Sequence, residues 1–103
     1  MFLVVFRNRK RMGLDEEAYE ADAARMLALA KTQPGFLSFK SYLSEDGEVV
    51  ALSEWGSEAA AHAWGSHPEH AEIQARGRRH YYESYTLFTA AGPLVSKFDR
   101  SLD

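Results

Sequence analysis

Residues 2–9 of the chain, FLVVFRNR, begin with five consecutive apolar residues and end in a polar, basic stretch. A run this rich in valine and phenylalanine predicts a β-strand that is covered on both faces. Side chains alternate between the two faces of a strand. One predicted face carries Phe2, Val4, Phe6 and Asn8, and the other carries Leu3, Val5 and Arg7. Asn8 therefore continues the core-facing row at the point where the strand ends.

Three helices are predicted downstream of this strand. The first spans residues 15–33, with Asp15 as a candidate N-cap and with apolar residues at steps of three and four along one side. Pro34, followed by glycine, ends it. Further helices are predicted over residues 58–65 and 68–79, because a proline separates them and proline suits the first turn of a helix.

Three more strands complete the pattern. Residues 36–44 and 48–55 predict a β-hairpin, because Asp46-Gly47 supplies a turn in which glycine tolerates positive φ. A last strand is predicted over Tyr81–Thr89, which is rich in aromatic and β-branched residues. Residues 90–103 then form a C-terminal tail whose apolar residues are candidates for docking on a folded body.

Alternation assigns the side chains of these strands to faces. The first arm of the hairpin has Leu37, Phe39, Ser41 and Leu43 on one face and Phe36, Ser38, Lys40 and Tyr42 on the other. The last strand has Tyr81, Glu83, Tyr85 and Leu87 on one face and Tyr82, Ser84, Thr86 and Phe88 on the other.

The predicted order of elements is β-α-β-β-α-β. Four strands with helices on one face form an α+β, ferredoxin-like sandwich around a four-stranded antiparallel sheet. The helices leave the second sheet face uncovered, although the first and third strands are apolar on both faces. An exposed apolar face needs a partner, and a second copy of the same sheet is the simplest one. We therefore expect a homodimer that pairs face to face.

Length and composition limit the classes of function. The chain has 103 residues, a formal net charge of −3 at pH 7 and no cysteine, which fits one domain without disulfides, thiolate metal sites or a cysteine nucleophile. The slight negative charge argues against nucleic acid and an anionic membrane surface as partners. No apolar run reaches the roughly 20 residues of a membrane span, and the N-terminal residues lack the order of a secretory signal, so we expect a cytoplasmic protein.

The histidines do not predict a metal site. His67 and His70 are three residues apart on the predicted third helix and therefore share a face. Helical histidine pairs bind metals in some proteins, yet no third ligand follows at a suitable spacing. A histidine beside a helix start more often caps the helix or faces solvent.

Four stretches carry a family resemblance. They are FLVVFRNR, the helix exit QPGFLSF, the hairpin close GEVVALSEW and the run SEAAAHAWGSHPEHAEIQARGRRHYYESYTLF, which together cover nearly all of residues 1–89. In this order they resemble the antibiotic biosynthesis monooxygenase family, within the dimeric α+β barrel superfamily. The resemblance implies a family domain over residues 1–89, a dimer joined through its sheets, and a pocket between helices and sheet in each protomer.

The resemblance also implies several kinds of chemistry. Some members are quinone-forming monooxygenases, which oxidise aromatic polyketides with O₂ and without metal, flavin or haem, whereas others degrade haem. Asn8 corresponds to a pocket asparagine of the haem-degrading branch and of some quinone-forming members, and Trp64 to a helical tryptophan that walls the pocket. From the residues alone, Asn8 is equally a polar strand end that bonds a loop, and Trp64 a large core residue.

A cofactor-independent oxygenase makes an electron-rich carbanion or phenolate that reacts with O₂, which needs a base and donors for the oxyanion. His70 is the candidate base, because imidazole titrates near neutral pH. The candidate catalytic residues are Asn8, Trp64 and His70, and the candidate substrate-binding residues are Phe6, Met26, Gln74 and Tyr85. Candidates for polarising a phenolic substrate are Tyr81, Tyr82 and Tyr85 with Arg76 and Arg79.

The leading hypothesis is a small cofactor-free monooxygenase that acts on an aromatic or quinol-like compound. One alternative is a haem-binding or haem-degrading protein. In that branch the iron-ligating histidine stands where this chain has Gln74, and His70 lies one helical turn earlier as a shifted ligand. The other alternative is a non-catalytic dimer that binds a small apolar ligand.

Overall fold

The computed structural model describes residues 1–102, and Asp103, the last residue of the predicted tail, lies outside them. The described residues form β1 (Phe2–Lys10), α1 (Glu16–Ala30), β2 (Phe36–Leu43), β3 (Val49–Trp55), α2 (Glu58–Gly65), α3 (Pro68–Arg76) and β4 (Tyr82–Ala91). A π-helical turn over Gly77–Tyr81 joins α3 to β4, and a 3₁₀ turn spans Arg100–Leu102. Among these residues no helix combines the length and hydropathy that crossing a membrane requires.

The strands form one antiparallel sheet in the order β2-β3-β1-β4. β1 is central, and its Phe6 lies opposite Ala51 of β3 and Leu87 of β4. The element order and the sheet confirm the predicted α+β, ferredoxin-like sandwich.

Helix α1 begins as the sequence predicts and ends earlier. The Asp15 side chain accepts a hydrogen bond from the backbone N–H of Ala18 at 3.0 Å, which confirms the N-cap. α1 ends at Ala30, not at residue 33, because the chain tightens there. The N–H groups of Thr32 and Gln33 reach back only three residues, in the manner of a 3₁₀ turn.

The buried core lies at one end of the sheet. Phe2 and Trp55 lie opposite each other in β1 and β3 and pack against Ala30 of α1. The Trp55 side chain is 1% exposed, and the Phe36 ring meets it edge-on at 5.6 Å between centroids. Farther along β1 toward Asn8, the helices stand away from the sheet, and cavities lie between the two layers.

The junction between α3 and β4 departs from the prediction. α3 ends at Arg76 rather than at residue 79, because the chain widens into the π-helical turn. β4 begins at Tyr82, and the β1–β4 register shifts between Arg9 and Lys10. A bulge breaks the alternation of side chains, so Tyr82 and Tyr85 both pack against Phe6, at 5.4 and 5.2 Å between ring centroids. Their predicted assignment to opposite faces is wrong.

A second bulge lies at the start of β2. The register with β3 shifts between Phe36 and Ser38, which leaves Leu37 57% exposed. Phe36 pairs with Trp55 and borders the same cavity as Phe39. The extra residue therefore moves Phe36 to the helix-covered face, and the predicted pairing of Leu37 with Phe39 is wrong.

β4 is longer than predicted. It continues past Thr89, because Ala90 and Ala91 still pair with β1. After it, Leu94 and Phe98 are 103% and 74% exposed, so neither docks on its own protomer. The division into a domain and a tail stays a prediction, and the end of β4 moves its boundary to the residue after Ala91.

The sheet face away from the helices, called here the outer sheet face, has an apolar centre. Strand register places Val5 between Leu52 of β3 and Phe88 of β4. Phe88 is 49% exposed, and the other two are partly exposed. This strip is the uncovered apolar surface that the sequence predicts.

Gly35 allows α2 to approach the entry of β2. Its φ is +85°, and an added Cβ would lie 2.5 Å from the Cβ of Ala60. We expect Gly35→Ala to lower the free energy of unfolding by about 2–4 kcal/mol, because a left-handed backbone and a steric overlap both oppose the methyl group. Urea denaturation measures the loss.

Gly47→Ala is the matched control for this change. Gly47 lies in the predicted Asp46-Gly47 turn with a φ of +90°, and an added Cβ meets no atom within 4 Å. This control carries only the backbone cost of about 1–2 kcal/mol. Equal losses in the two variants would contradict the close packing at Gly35.

Candidate active site

Two adjoining cavities separate the helices from the sheet. The smaller has a volume of about 390 Å³ and the larger about 780 Å³. Phe6, Trp64 and His70 border both of them, so the two spaces meet along these side chains. Volumes of this size suit small organic ligands, whose sites measure roughly 300–1,000 Å³.

The structure distributes the predicted site residues over both cavities. Asn8 and Met26 border the smaller cavity, and Gln74 and Tyr85 border the larger one. The three candidate catalytic residues, Asn8, Trp64 and His70, thus meet at the smaller cavity. Their roles in chemistry stay predictions.

Trp64 and His70 form one stacked unit across the break between α2 and α3. Their rings are 4.1 Å apart and nearly parallel, at 12°. Nδ1 of His70 lies 2.9 Å from the carbonyl oxygen of Trp64. Because a carbonyl oxygen only accepts, Nδ1 carries the proton, and Nε2 is left as an acceptor without a partner among the described residues.

The protonation of His70 follows from its surroundings. Burial lowers the pKa of His70 below the usual imidazole value, and the nearby His67 lowers it further, although the Trp64 carbonyl opposes both. The ring is therefore neutral at pH 7. A neutral ring with a free Nε2 at the cavity has the properties of a general base.

Asn8 turns its amide group in a defined direction. The residue is 3% exposed, and its Oδ1 accepts a hydrogen bond from Nζ of Lys10. Lysine is a donor only, so the partner atom must be the amide oxygen. Nδ2 has no hydrogen-bond partner within residues 1–102 and stays available as a donor.

A buried carboxylate also borders the smaller cavity. Asp22 of α1 is 9% exposed and accepts hydrogen bonds from the Tyr81 hydroxyl at 2.6 Å and from Nη1 of Arg76 at 2.9 and 3.1 Å. Burial alone would raise the pKa of Asp22, but the bonds from Tyr81 and Arg76 and the charges of Arg76 and Arg25 outweigh it, so the pKa lies below the usual value. This network was not predicted from the sequence.

The tyrosine and arginine candidates differ in whether they border a cavity and have a free polar group. The Tyr81 hydroxyl donates to Asp22 and is not free for a phenolic substrate. Arg76 binds Asp22 through Nη1 and lies outside the two cavity linings. Tyr82 borders both cavities, and burial raises its pKa, so it presents a neutral ring and hydroxyl. Arg79 is exposed and lies outside the two cavity linings.

Two of the other three histidines contact groups of their own protein chain. Nδ1 of His67 accepts from the backbone N–H of Glu69 at 3.3 Å, so His67 caps α3. The His62 ring meets Phe2 edge-on at 6.3 Å. In the part of the chain that the structure describes, no group of three histidine and carboxylate side chains is arranged to hold a metal ion.

The described residues do not support the haem alternative. Gln74, the position that the resemblance assigns to the iron-ligating histidine of the haem-degrading branch, borders the larger cavity, and an amide is not among the usual axial ligands of haem. His70 is one turn away and is held by its stack on Trp64 and its bond to the Trp64 carbonyl. Haem binding through His70 would need a porphyrin displaced by one helical turn, about 5 Å, from the position that the resemblance implies.

Comparison with known proteins relates this geometry to a family. Residues 1–76 match the profile of the family described as Antibiotic biosynthesis monooxygenase. YqjZ of Bacillus subtilis (strain 168), described as an uncharacterized protein, is 36% identical over 99 residues, which cover 96% of this chain and 80% of that protein.

Solved structures of low sequence identity share the fold. Rv0793 from Mycobacterium tuberculosis is similar with a TM-score of 0.79 at 22% identity, over 92% of this chain and 96% of that one. SnoaB from Streptomyces nogalater, described as a cofactor-independent oxygenase, gives a TM-score of 0.69 at 22% identity, over 92% and 97% of the two chains. At these identities the likeness concerns the fold alone.

Proposed function

The chain belongs to the antibiotic biosynthesis monooxygenase family, and from this membership we propose that it oxidises a small aromatic or quinol-like compound with O₂ and without a cofactor. The observation that carries the proposal is the meeting of Asn8, Trp64 and His70 at one cavity. SnoaB, which shares the fold, is described as a cofactor-independent oxygenase, and this description supports the proposed type of reaction.

Each of the three residues has a task in this reaction. The unprotonated Nε2 of His70 removes a proton from the ligand hydroxyl, because its Nδ1 proton is held by the Trp64 carbonyl. Nδ2 of Asn8 donates to the oxyanion that forms. The Trp64 indole, with His70 stacked on it, contributes an apolar part of the cavity wall, and its N–H has no partner among residues 1–102, so it is a second donor.

The atoms balance for a hydroxyanthracene. The anion formed by His70 is rich in electrons and reacts with O₂ at the ring carbon opposite the hydroxyl. One oxygen atom becomes the new carbonyl of a quinone. The other leaves as water with the hydroxyl proton and the hydrogen of that ring carbon, and His70 returns the proton it took.

Oxygen uptake tests the proposal. The wild-type protein is mixed with hydroxyanthracene- and naphthol-type compounds in the presence of a metal chelator, and an oxygen electrode follows the reaction. We expect protein-dependent uptake of one O₂ per quinone formed. If the compounds bind without oxygen uptake, the enzymatic proposal is contradicted and the non-catalytic ligand-binding alternative is favoured.

The proposal includes a homodimer joined through the outer sheet face. Val5 lies at the centre of its apolar strip, between Leu52 and Phe88. Burial against a second copy would remove this strip from water, which is the usual role of such a patch. We expect the wild type to sediment as a dimer at micromolar concentration and Val5→Lys to sediment as a monomer, because a charge replaces the central contact.

Met12→Lys is the control for this change, because Met12 is 100% exposed in a loop. It adds the same charge away from the outer sheet face, so the dimer should persist. A monomeric wild type, or a dimeric Val5→Lys that remains folded by circular dichroism, would contradict this interface.

A further inference from the structure

Lys10 lies outside the lining of the smaller cavity and contacts Asn8, which borders it. It continues the row of even-numbered β1 residues that ends in Asn8, so alternation turns it toward the helices. Its ammonium group sits 4.7 Å from the ring centre of Tyr19 and 5.4 Å from that of Tyr82. Both tyrosines border the smaller cavity, so the charge lies directly behind the cavity wall.

This ammonium group is not neutralised by an ion pair. Within the part of the chain that the structure describes, no carboxylate lies within ion-pair distance of Lys10. Glu16 acts on it only through its charge, and the nearby phenols of Tyr19 and Tyr82 are neutral. The side chain is half-buried, and this burial lowers the pKa of Lys10.

The contact with Asn8 has a consequence for the cavity. Because the ammonium group must face Oδ1, the opposite side of the carboxamide carries the two N–H donors. Without Lys10 nothing among the described residues distinguishes the two orientations of the amide. One of these orientations would present a carbonyl oxygen, which repels an oxyanion.

We infer that Lys10 is a positioning residue, which holds the Asn8 amide with its N–H donors toward the ligand and favours a phenol bound as its phenolate. The inference rests on the proposed function, because it assumes that the phenolic ligand binds in the smaller cavity. Lys10 acts through Asn8 and through its unpaired charge, and it takes no part in proton transfer.

The first experiment tests the orientation without any ligand. Asn8 is the only asparagine of the sequence, so protein labelled with ¹⁵N-asparagine gives one side-chain amide signal pair in an NMR spectrum. We expect Lys10→Met to change the chemical shifts of the two amide hydrogens toward the values of a free carboxamide. Lys10→Arg should keep both chemical shifts near those of the wild type. An unchanged pair in Lys10→Met would overturn the inference, whatever the cavity binds.

The second experiment tests the charge with 4-nitrophenol, whose phenol and phenolate absorb at different wavelengths and interconvert near neutral pH. We expect binding to lower the pH midpoint of its ionisation, and Lys10→Met to raise that midpoint by about 1 unit, a tenfold change in ionisation constant. Lys10→Arg should retain the wild-type midpoint. Lys31→Met is the control, because Lys31 is an exposed lysine at the end of α1, outside both cavity linings and away from the outer sheet face.

The outcomes separate the two proposals. Equal midpoints in the wild type and in Lys10→Met overturn the role of Lys10 and leave the aromatic site in place. Failure of 4-nitrophenol and larger phenols to bind the wild type counts against the proposed function, and the amide signals of Asn8 then decide the positioning role alone.

Discussion

His70→Ala is expected to lower the turnover of an oxidised hydroxyanthracene by about 10²–10⁴-fold, the usual loss when a general base is removed. Within residues 1–102, the change takes away the only imidazole that borders both cavities, and this imidazole has an unprotonated Nε2. Ligand affinity should fall much less, because Phe6 and Trp64 still line the space. Steady-state oxygen uptake, with kcat and KM separated, measures the effect.

The acid side of the pH profile gives this prediction a second test. A base works only while it is unprotonated, and the pKa of His70 lies below the usual value of about 6.5. kcat/KM should therefore stay high at pH 6.5 and fall only at lower pH. His80→Ala is the control, because His80 is exposed outside the cavity linings. A profile that His70→Ala leaves unchanged would assign the proton transfer to another group.

Asp22→Ala is expected to lower the free energy of unfolding by about 2–4 kcal/mol, because it leaves a buried tyrosine hydroxyl and a cation without their acceptor. The Tyr81 hydroxyl is buried at this point, and Arg76 is partly exposed, which keeps the loss below that of a fully buried pair. Urea denaturation at pH 7 measures it. Glu20→Ala, an exposed carboxylate on the same helix, should change stability by less than about 0.5 kcal/mol.

The same carboxylate makes stability depend on pH. The pKa of Asp22 is lower in the folded protein than in the unfolded chain. Its contribution is therefore fully present above the unfolded value of about 3.9 and is lost as the pH falls through the folded value. The difference in stability between the wild type and Asp22→Ala should narrow in strong acid. A constant difference down to that range would mean that the charge of Asp22 does not contribute.

The general fold could be predicted because β1 and the hairpin carry strong local signals. The five apolar residues after Met1 require cover on both faces, and Asp46-Gly47 forms the expected turn with a φ of +90° at the glycine. The same alternation, continued by one step past Asn8, would also have placed Lys10 on the cavity side. The basic run around Lys10 concealed this, because charge usually indicates solvent exposure.

Other parts of the site depend on distant residues and could not be predicted locally. Asp22 lies on the apolar stripe of α1, but its partners Arg76 and Tyr81 are 54 and 59 residues away. The position of Tyr82 depends on a bulge and a π-helical turn, which have no reliable sequence signature. Alternation in an ideal strand therefore gives the wrong face for Tyr82.

The most direct test of the account is an NMR titration of the methionine methyl groups with 2-naphthol. Met26 is 8% exposed and borders the smaller cavity, whereas Met12 and Met1 are 100% and 41% exposed. If the space between helices and sheet is the ligand site, the Met26 methyl signal shifts and saturates while the other two stay in place. A Met26 signal that does not move at saturating ligand, or that moves only as much as that of Met12, would contradict the central claim.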